Sequence, residues 1–248
     1  MLVSQTAVTA VILAGGFGTR IKQQLPDLPK PLAPVGRQPF LDWQLRYLAH
    51  QGFRRSLLST GYLAAKIADY AQTVNIPNLQ IECVAETEPL GTAGGFLNAV
   101  EGSTSHGETA AWLVLNGDSL IVTNYQVLVD ILAEPRVDGV ILGVRVEDAS
   151  RYGSLRYDSQ GYLQQFAEKQ AGAGVINSGV YLIGDRLLAN FPRHRPLSFE
   201  YDVFPTLLNQ GANIKVHAVD APFLDIGTPA TLAQADQFIQ SQLQHLLV

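Results

Sequence analysis

The 248-residue sequence predicts an α/β fold: a mixed, mainly parallel sheet with helices on both faces, followed by a β-rich second half. Three observations carry that prediction. Through roughly the first 135 residues, apolar runs of strand length alternate with segments of helical period. The first of these runs, Val8 to Leu13, empties into Ala14-Gly15-Gly16-Phe17-Gly18-Thr19-Arg20, a buried strand feeding a glycine loop. After Val137 the strand-like segments follow one another directly, as antiparallel neighbours do.

The elements follow in order. Val8 to Leu13 is apolar enough to be central. Leu41, Leu45 and Leu48 set a helix over Leu41 to Ala49, and Gly52 is the residue to end it. Alternation continues with a strand at Arg55 to Thr60, a helix at Leu63 to Gln72, a strand at Leu79 to Ala85 and a helix at Ala93 to Val100. A strand at Ala111 to Leu115 and a helix at Tyr125 to Ala133 complete the first half. Strands are expected at Gly139 to Val146, Ser154 to Tyr157, Tyr162 to Glu168 and Val175 to Ile183, with Asp158-Ser-Gln-Gly161 as a hairpin turn. Leu232, Ala235, Phe238, Ile239 and Leu243 share one side of a closing helix from Pro229 to Leu247. With no linker or repeat, residues 1–248 read as one domain: a first half to about 135, a second to about 228, and the helix 229–248.

Composition excludes several function classes. Seventeen Lys and Arg against 22 Asp and Glu give a net charge of −5 without a basic run, so nucleic acid is not an expected partner. The single Cys83 can neither close an intrachain disulfide nor make a zinc site, which points to a reducing compartment, the cytoplasm. The N-terminus lacks a basic signal region, and no apolar run is long enough for a membrane helix. The five histidines show no ligand spacing. A monomer or homodimer is expected.

The chemistry gathers in the loop after the first strand. Gly15, Gly16 and Gly18 let backbone N–H groups turn toward an anion, and Arg20 and Lys30 supply positive charge. No Gly-Lys-Ser/Thr occurs, so this is not a P-loop, and the third glycine of a dinucleotide fingerprint is missing. Asp118, in Asn116-Gly117-Asp118, falls at the carboxyl end of an apolar strand, where either a magnesium ligand or a capping turn residue belongs. Asp225 is a second acid after an apolar stretch. Gly117-Asp118-Ser119-Leu120 also spells the nucleophile block of a hydrolase family, but no histidine follows at the spacing that chemistry needs, so Ser119 reads as a turn residue. Arg193-His194-Arg195 reads as a solvated turn and Trp43 as helix packing.

Gly15-Gly16-Phe17-Gly18-Thr19-Arg20, Pro29-Lys30-Pro31 and Asp225-Ile226-Gly227-Thr228-Pro229 together resemble the nucleotidyltransferases that activate sugar 1-phosphates, over nearly the whole chain. Leu25 to Gly36 and Ser198 to Pro205 are most similar to the D-glycero-D-manno-heptose 1-phosphate guanylyltransferases. The resemblance implies a Rossmann-like, nucleotide-diphospho-sugar transferase fold whose β-rich half binds the sugar. It implies a nucleoside triphosphate, GTP in first place, and a sugar 1-phosphate as substrates, with Mg²⁺ held by Asp118 and Asp225. Leu13, Ala14, Gly15, Gly16, Gly18, Thr19 and Arg20 would hold the triphosphate, with Lys30 near the reacting phosphates. Glu86, Pro89, Gly91 and Thr92 would cradle the base, the Glu86 carboxylate accepting the two donors of guanine's Watson–Crick edge. Asn116, Gly153, Glu168, Lys169, Asn177 and Asp225 would line the sugar side, Lys169 holding the sugar phosphate. Arg20, Lys30, Asp118 and Lys169 are the catalytic candidates. Mannose or another sugar 1-phosphate, with UTP, CTP or dTTP, is the neighbouring alternative. A non-catalytic nucleotide-sugar binder is the alternative of another class.

Overall fold

The computed structural model describes residues 5–104, 106–167 and 171–246. In chain order it contains β1 (Val8–Ala14), the short hairpin β2 (Pro34–Val35) and β3 (Gln38–Pro39), α1 (Phe40–His50), β4 (Arg55–Thr60), α2 (Ala64–Thr73), β5 (Gln80–Ala85) and α3 (Thr92–Gly102). There follow β6 (Ala111–Asn116), β7 (Ser119–Ile121), α4 (Gln126–Leu132), β8 (Gly139–Val146), β9 (Ser154–Tyr157), β10 (Leu163–Ala167) and β11 (Gly174–Gly184). A π-helical turn at Phe199–Val203, α5 (Phe204–Asn209), β12 (Ile214–Val219), β13 (Phe223–Asp225) and α6 (Pro229–Leu246) complete the chain.

β5, β4, β1 and β6 form a parallel ladder, β11 runs antiparallel to β6, β8 antiparallel to β11, and β12 parallel to β8. The second half of β11 pairs with β6, while Ile176 in its first half pairs with Ser154 of β9, so β9 and β10 branch from the same edge. The mixed sheet with helices on both faces is thus the α/β fold expected. Side chains alternate across it with period two. Ala10, Ile12, Leu113, Leu115, Leu142 and Leu182 face a core built with α1, α4 and α6. Val11, Trp112, Val114, Ile141, Tyr181 and Ile183 face the other, built with α3 and α5.

Local chemistry sets the boundaries. Helix α1 ends where Gly52 takes φ +94°, and the N–H groups of Gly52 and Phe53 return to the Ala49 and Leu48 carbonyls. The strands expected at Arg55 to Thr60, Gly139 to Val146 and Ser154 to Tyr157 have those bounds. Three differences matter. Tyr162 joins the sheet only through an isolated bridge to Lys215, so β10 starts at Leu163; the expected end of that strand, Glu168, lies outside the described residues. The alternation Ile214, Val216 forms β12, which the sequence reading passes over. Ser119 is a strand residue of β7 rather than a turn residue, buried with its hydroxyl donating to the Ser178 carbonyl at 3.3 Å. The pairing of β7 with β13 accounts for that correction, since neither strand is long enough to show a period of its own.

Candidate active site

Parallel pairing of β1 with β6 sets Leu13 opposite Asn116, so the glycine loop and the acid turn leave the sheet side by side at its carboxyl end. The Gly117 N–H donates to the Leu13 carbonyl at 3.0 Å, and a Cβ at Gly117 would lie 2.6 Å from that oxygen. Only glycine permits this approach. Above it lies a cavity of about 350 Å³ lined by Leu13, Ala14, Gly15, Gly16, Gly18, Lys30, Glu86, Pro89, Gly91, Thr92, Asn116 and Asp118. Thr19 and Arg20 do not line it: the left-handed Gly18, φ +58°, turns the chain into a short 3-10 segment that buries Ile21 and leaves both exposed. Ser59, Gly95 and Phe17 do line it, and sequence reasoning singled out none of the three as a site residue.

Lys30 enters from a 3-10 turn opened by Pro29, and its ammonium lies 2.6 Å from Asp118 Oδ2. Its side chain is 14% exposed and that of Asp118 37%. Asp225 arrives from the far end of the chain: in the antiparallel β7–β13 pair it stands opposite Ser119, and the Ile226 N–H donates to the Asp118 carbonyl at 2.9 Å. Burial and the neighbouring Asp118 charge push the Asp225 carboxyl above its ordinary pKa, against the opposing pull of the Gly227 N–H, Lys30 and Arg151. Two acids therefore crowd one corner, with two cations in range. Arg151 went unremarked in the sequence because it sits in a loop with no pattern around it. Among the described residues no three His, Cys, Asp or Glu side chains converge as a metal cluster.

Glu86 follows β5, and its backbone N–H donates to Thr60 O at 2.8 Å. The side chain lies over glycines of separate segments: a Cβ at Gly15, Gly61 or Gly95 would come within 2.7, 2.2 or 3.4 Å of its carboxylate oxygens. Burial pushes its pKa up, opposed by a hydrogen bond from the Leu90 N–H. Gly91, at φ +77°, ends the loop against the Leu197 backbone, whose carbonyl accepts from Ala93 and Gly94 at 2.9 and 3.1 Å. A main-chain carbonyl thus satisfies the first turn of α3 in place of a side-chain cap.

A second cavity of about 830 Å³ lies over the β-rich half, and its lining includes Gly153, Asn177, Tyr152, Phe166, Glu200 and Tyr201. A bulge in β11 between Asn177 and Val180 includes Gly179 at φ +76°, packed against the Asn116 side chain. The Asn177 amide is held at both ends: Oδ1 accepts from the Gly179 N–H at 3.0 Å and Nδ2 donates to Tyr181 Oη at 2.7 Å. The Tyr181 hydroxyl in turn donates to Glu200 at 2.9 Å. Glu168 and Lys169 lie outside the described residues, just beyond the lining residue Ala167.

No helix among the described residues is long and apolar enough to cross a membrane. The chain is 35% identical over 226 residues to the mannose-1-phosphate guanylyltransferase of Mycobacterium tuberculosis, covering 90% of this chain and 62% of that relative. It thus spans about three fifths of the length of the mannose enzymes it matches, which include the catalytic subunit beta of Drosophila melanogaster (59% covered). The D-glycero-alpha-D-manno-heptose 1-phosphate guanylyltransferase of Aneurinibacillus thermoaerophilus is 30% identical, with 96% of this chain and 99% of that one aligned. Among solved structures, HddC from Yersinia pseudotuberculosis superposes with a TM-score of 0.80 at 35% identity, covering 92% of this chain and 98% of that one. HddC has also been solved complexed with GMP-PN. A putative glucose-1-phosphate thymidylyltransferase from Bacillus anthracis, 17% identical with a TM-score of 0.75, covers 93% of this chain and 94% of that one and shares the fold. The model of the nucleotidyl transferase family matches residues 9–242, and the chain belongs to that family.

Proposed function

We propose that the chain transfers guanylyl from GTP to a sugar 1-phosphate, in first place D-glycero-D-manno-heptose 1-phosphate, giving a GDP-sugar and pyrophosphate. One observation carries the reading: the glycine loop, Lys30, Asp118 and Glu86 line a single cavity. The names of the heptose relatives, matched along 95% and 99% of their length, support the sugar class.

A phosphate oxygen of the sugar 1-phosphate attacks the α-phosphorus of GTP in line. One P–O bond forms as the bond to the β-phosphate bridge breaks, and pyrophosphate leaves. The nucleophile is already anionic, so the protein needs no general base; its work is orientation and charge neutralisation. Loop amides at Gly15, Gly16 and Gly18 orient the triphosphate, the exposed Arg20 meets its outer phosphates by rotating its side chain inward, and Lys30 offsets charge at the reacting phosphates. Glu86 accepts from guanine N1–H and the 2-amino group. Asn177, preset by Tyr181, and Glu168 meet sugar hydroxyls, and Lys169 meets the sugar phosphate.

Asp118 and Asp225 fit a magnesium ion, which takes one or two carboxylates and completes its shell with phosphate and water. Burial first and the Asp118 charge second raise the Asp225 pKa, and a divalent cation between the two carboxylates would offset both. Bound there, Mg²⁺ would neutralise charge developing on the α-phosphate and the leaving group.

The test is a matrix of the four nucleoside triphosphates against heptose, mannose and glucose 1-phosphates, read by pyrophosphate release. GTP with the heptose phosphate should give the highest kcat/KM. Preference for mannose 1-phosphate would move the substrate to the hexoses, and preference for another base would overturn guanylyl transfer. Nucleotide-sugar binding without turnover would make the protein a binder.

A further inference from the structure

Helix α1 presents polar side chains at Gln44 and Tyr47 on one face, continued by Gln51 just past its end, and all three close on the backbone of one segment. Gln44 Nε2 donates to the carbonyls of Asn116 and Ser119, each at 2.8 Å. The Tyr47 hydroxyl donates to Thr123 O at 2.6 Å, and Gln51 Oε1 accepts from the Tyr125 N–H at 3.0 Å. Only Gln44 of these touches the turn that carries Asp118, and its two N–H groups bridge the ends of that turn. Gln44 is 1% exposed, and its Oε1 has no hydrogen-bond partner among the described residues. The opposite amide orientation would aim Oε1 at two carbonyl oxygens, so the donor end is fixed by chemistry rather than by choice of fit. A buried acceptor left unsatisfied beside an active site is a feature that calls for a reason.

We propose that Gln44 is the positioning residue for Asp118. Its carboxamide closes the Asn116–Ser119 turn, so that the Asp118 carboxylate stays beside Lys30 and within electrostatic range of Asp225. The inference rests on the reading of Asp118 and Asp225 as the metal pair.

Gln44→Met keeps the volume and removes both donors; Tyr47→Phe removes a hydrogen bond from the same helix to the same segment, away from the acid turn. GTP affinity of the full-length protein is measured by calorimetry with Mg²⁺ and with EDTA. Gln44→Met should lose at least about fivefold of the Mg²⁺-dependent gain while the EDTA value stays within about twofold. Tyr47→Phe should keep the gain. In turnover, Gln44→Met should lower kcat at least about tenfold in the native background and no more than about twofold on top of Asp118→Asn, because it acts through that carboxylate. Gln44→Asn, whose amide is withdrawn by one methylene, should show the same pattern at smaller amplitude and serves if Gln44→Met does not fold. Equal losses with and without Mg²⁺, equal effects of the Gln44 and Tyr47 variants, or a full multiplicative loss with Asp118→Asn would each overturn the proposal. If Asp118→Asn alone keeps the Mg²⁺ gain and turnover, the metal-pair reading fails and takes this inference with it. A strong Asp118 effect with an independent Gln44 effect refutes Gln44 alone.

Discussion

Gly61→Ala probes base selection without altering Glu86 itself. A Cβ at Gly61 would lie 2.2 Å from Glu86 Oε1 and 3.0 Å from Cδ and Cγ. Ordinary contact begins near 3.4 Å, so the carboxylate must retreat by roughly 1 Å, and the yielding atom is the far end of a flexible side chain. Gly61 is not among the glycines with positive φ, so alanine is conformationally acceptable there and stiffens the unfolded chain, a gain of about 0.4–1 kcal/mol. Stability should therefore hold or rise slightly. A displacement of that size removes at least one charge-assisted hydrogen bond to guanine, about 1.4 kcal/mol or more, hence about a tenfold loss in preference. The assay is the ratio of kcat/KM for GTP to that for UTP, with Tm measured on the same preparations. An unchanged ratio at an unchanged Tm would refute the role of the Glu86 carboxylate in reading the base.

Asp118→Asn and Asp225→Asn should each lower kcat by at least about 10²-fold, and Asp225→Asn should also raise Tm at neutral pH, because a buried carboxyl with a raised pKa destabilises the fold when ionised. Lys30→Ala should reduce kcat at least about tenfold in steady-state assays while shifting stability by no more than about 1 kcal/mol, since its ion pair with Asp118 is partly open to solvent. Gly91→Ala should cost more than about 2 kcal/mol in denaturant unfolding: its φ is +77° and a Cβ would meet the Leu197 backbone oxygen at 2.6 Å, which cannot swing aside. The GTP/UTP ratio should fall as pH is lowered through the raised Glu86 pKa, because the ionised carboxylate accepts from guanine and the protonated one presents a donor instead. In Glu86→Gln that pH dependence should be flat.

The alternation of apolar strands and helical periods and the glycine loop with Lys30 beside it were legible in the sequence because each is a local pattern, whereas the expected second cation, Arg20, is turned away from the cavity. Leu41, Leu45 and Leu48 announce a helix, Gly52 its end, and Asn116-Gly117-Asp118 an acid at a strand terminus, whatever the rest of the chain does. The antiparallel pairing of β9 and β10 was legible in the same way, from the turn at Asp158–Gly161 between two short strands, while the parallel β12 was not.

What only the tertiary structure decided are the meetings of distant residues. Asp118 and Asp225 become neighbours through β7 and β13, strands of three residues each, too short to carry a period and joined by a pairing across the chain. Glu86 is confined by Gly15, Gly61 and Gly95, which come from three separate segments, and Gln44 reaches the acid turn from a helix in which it reads as an ordinary polar residue. Backbone carbonyls such as those of Asn116, Ser119 and Leu197 are identical at every position of a sequence, so their roles as anchors exist only once packing has brought a donor to them.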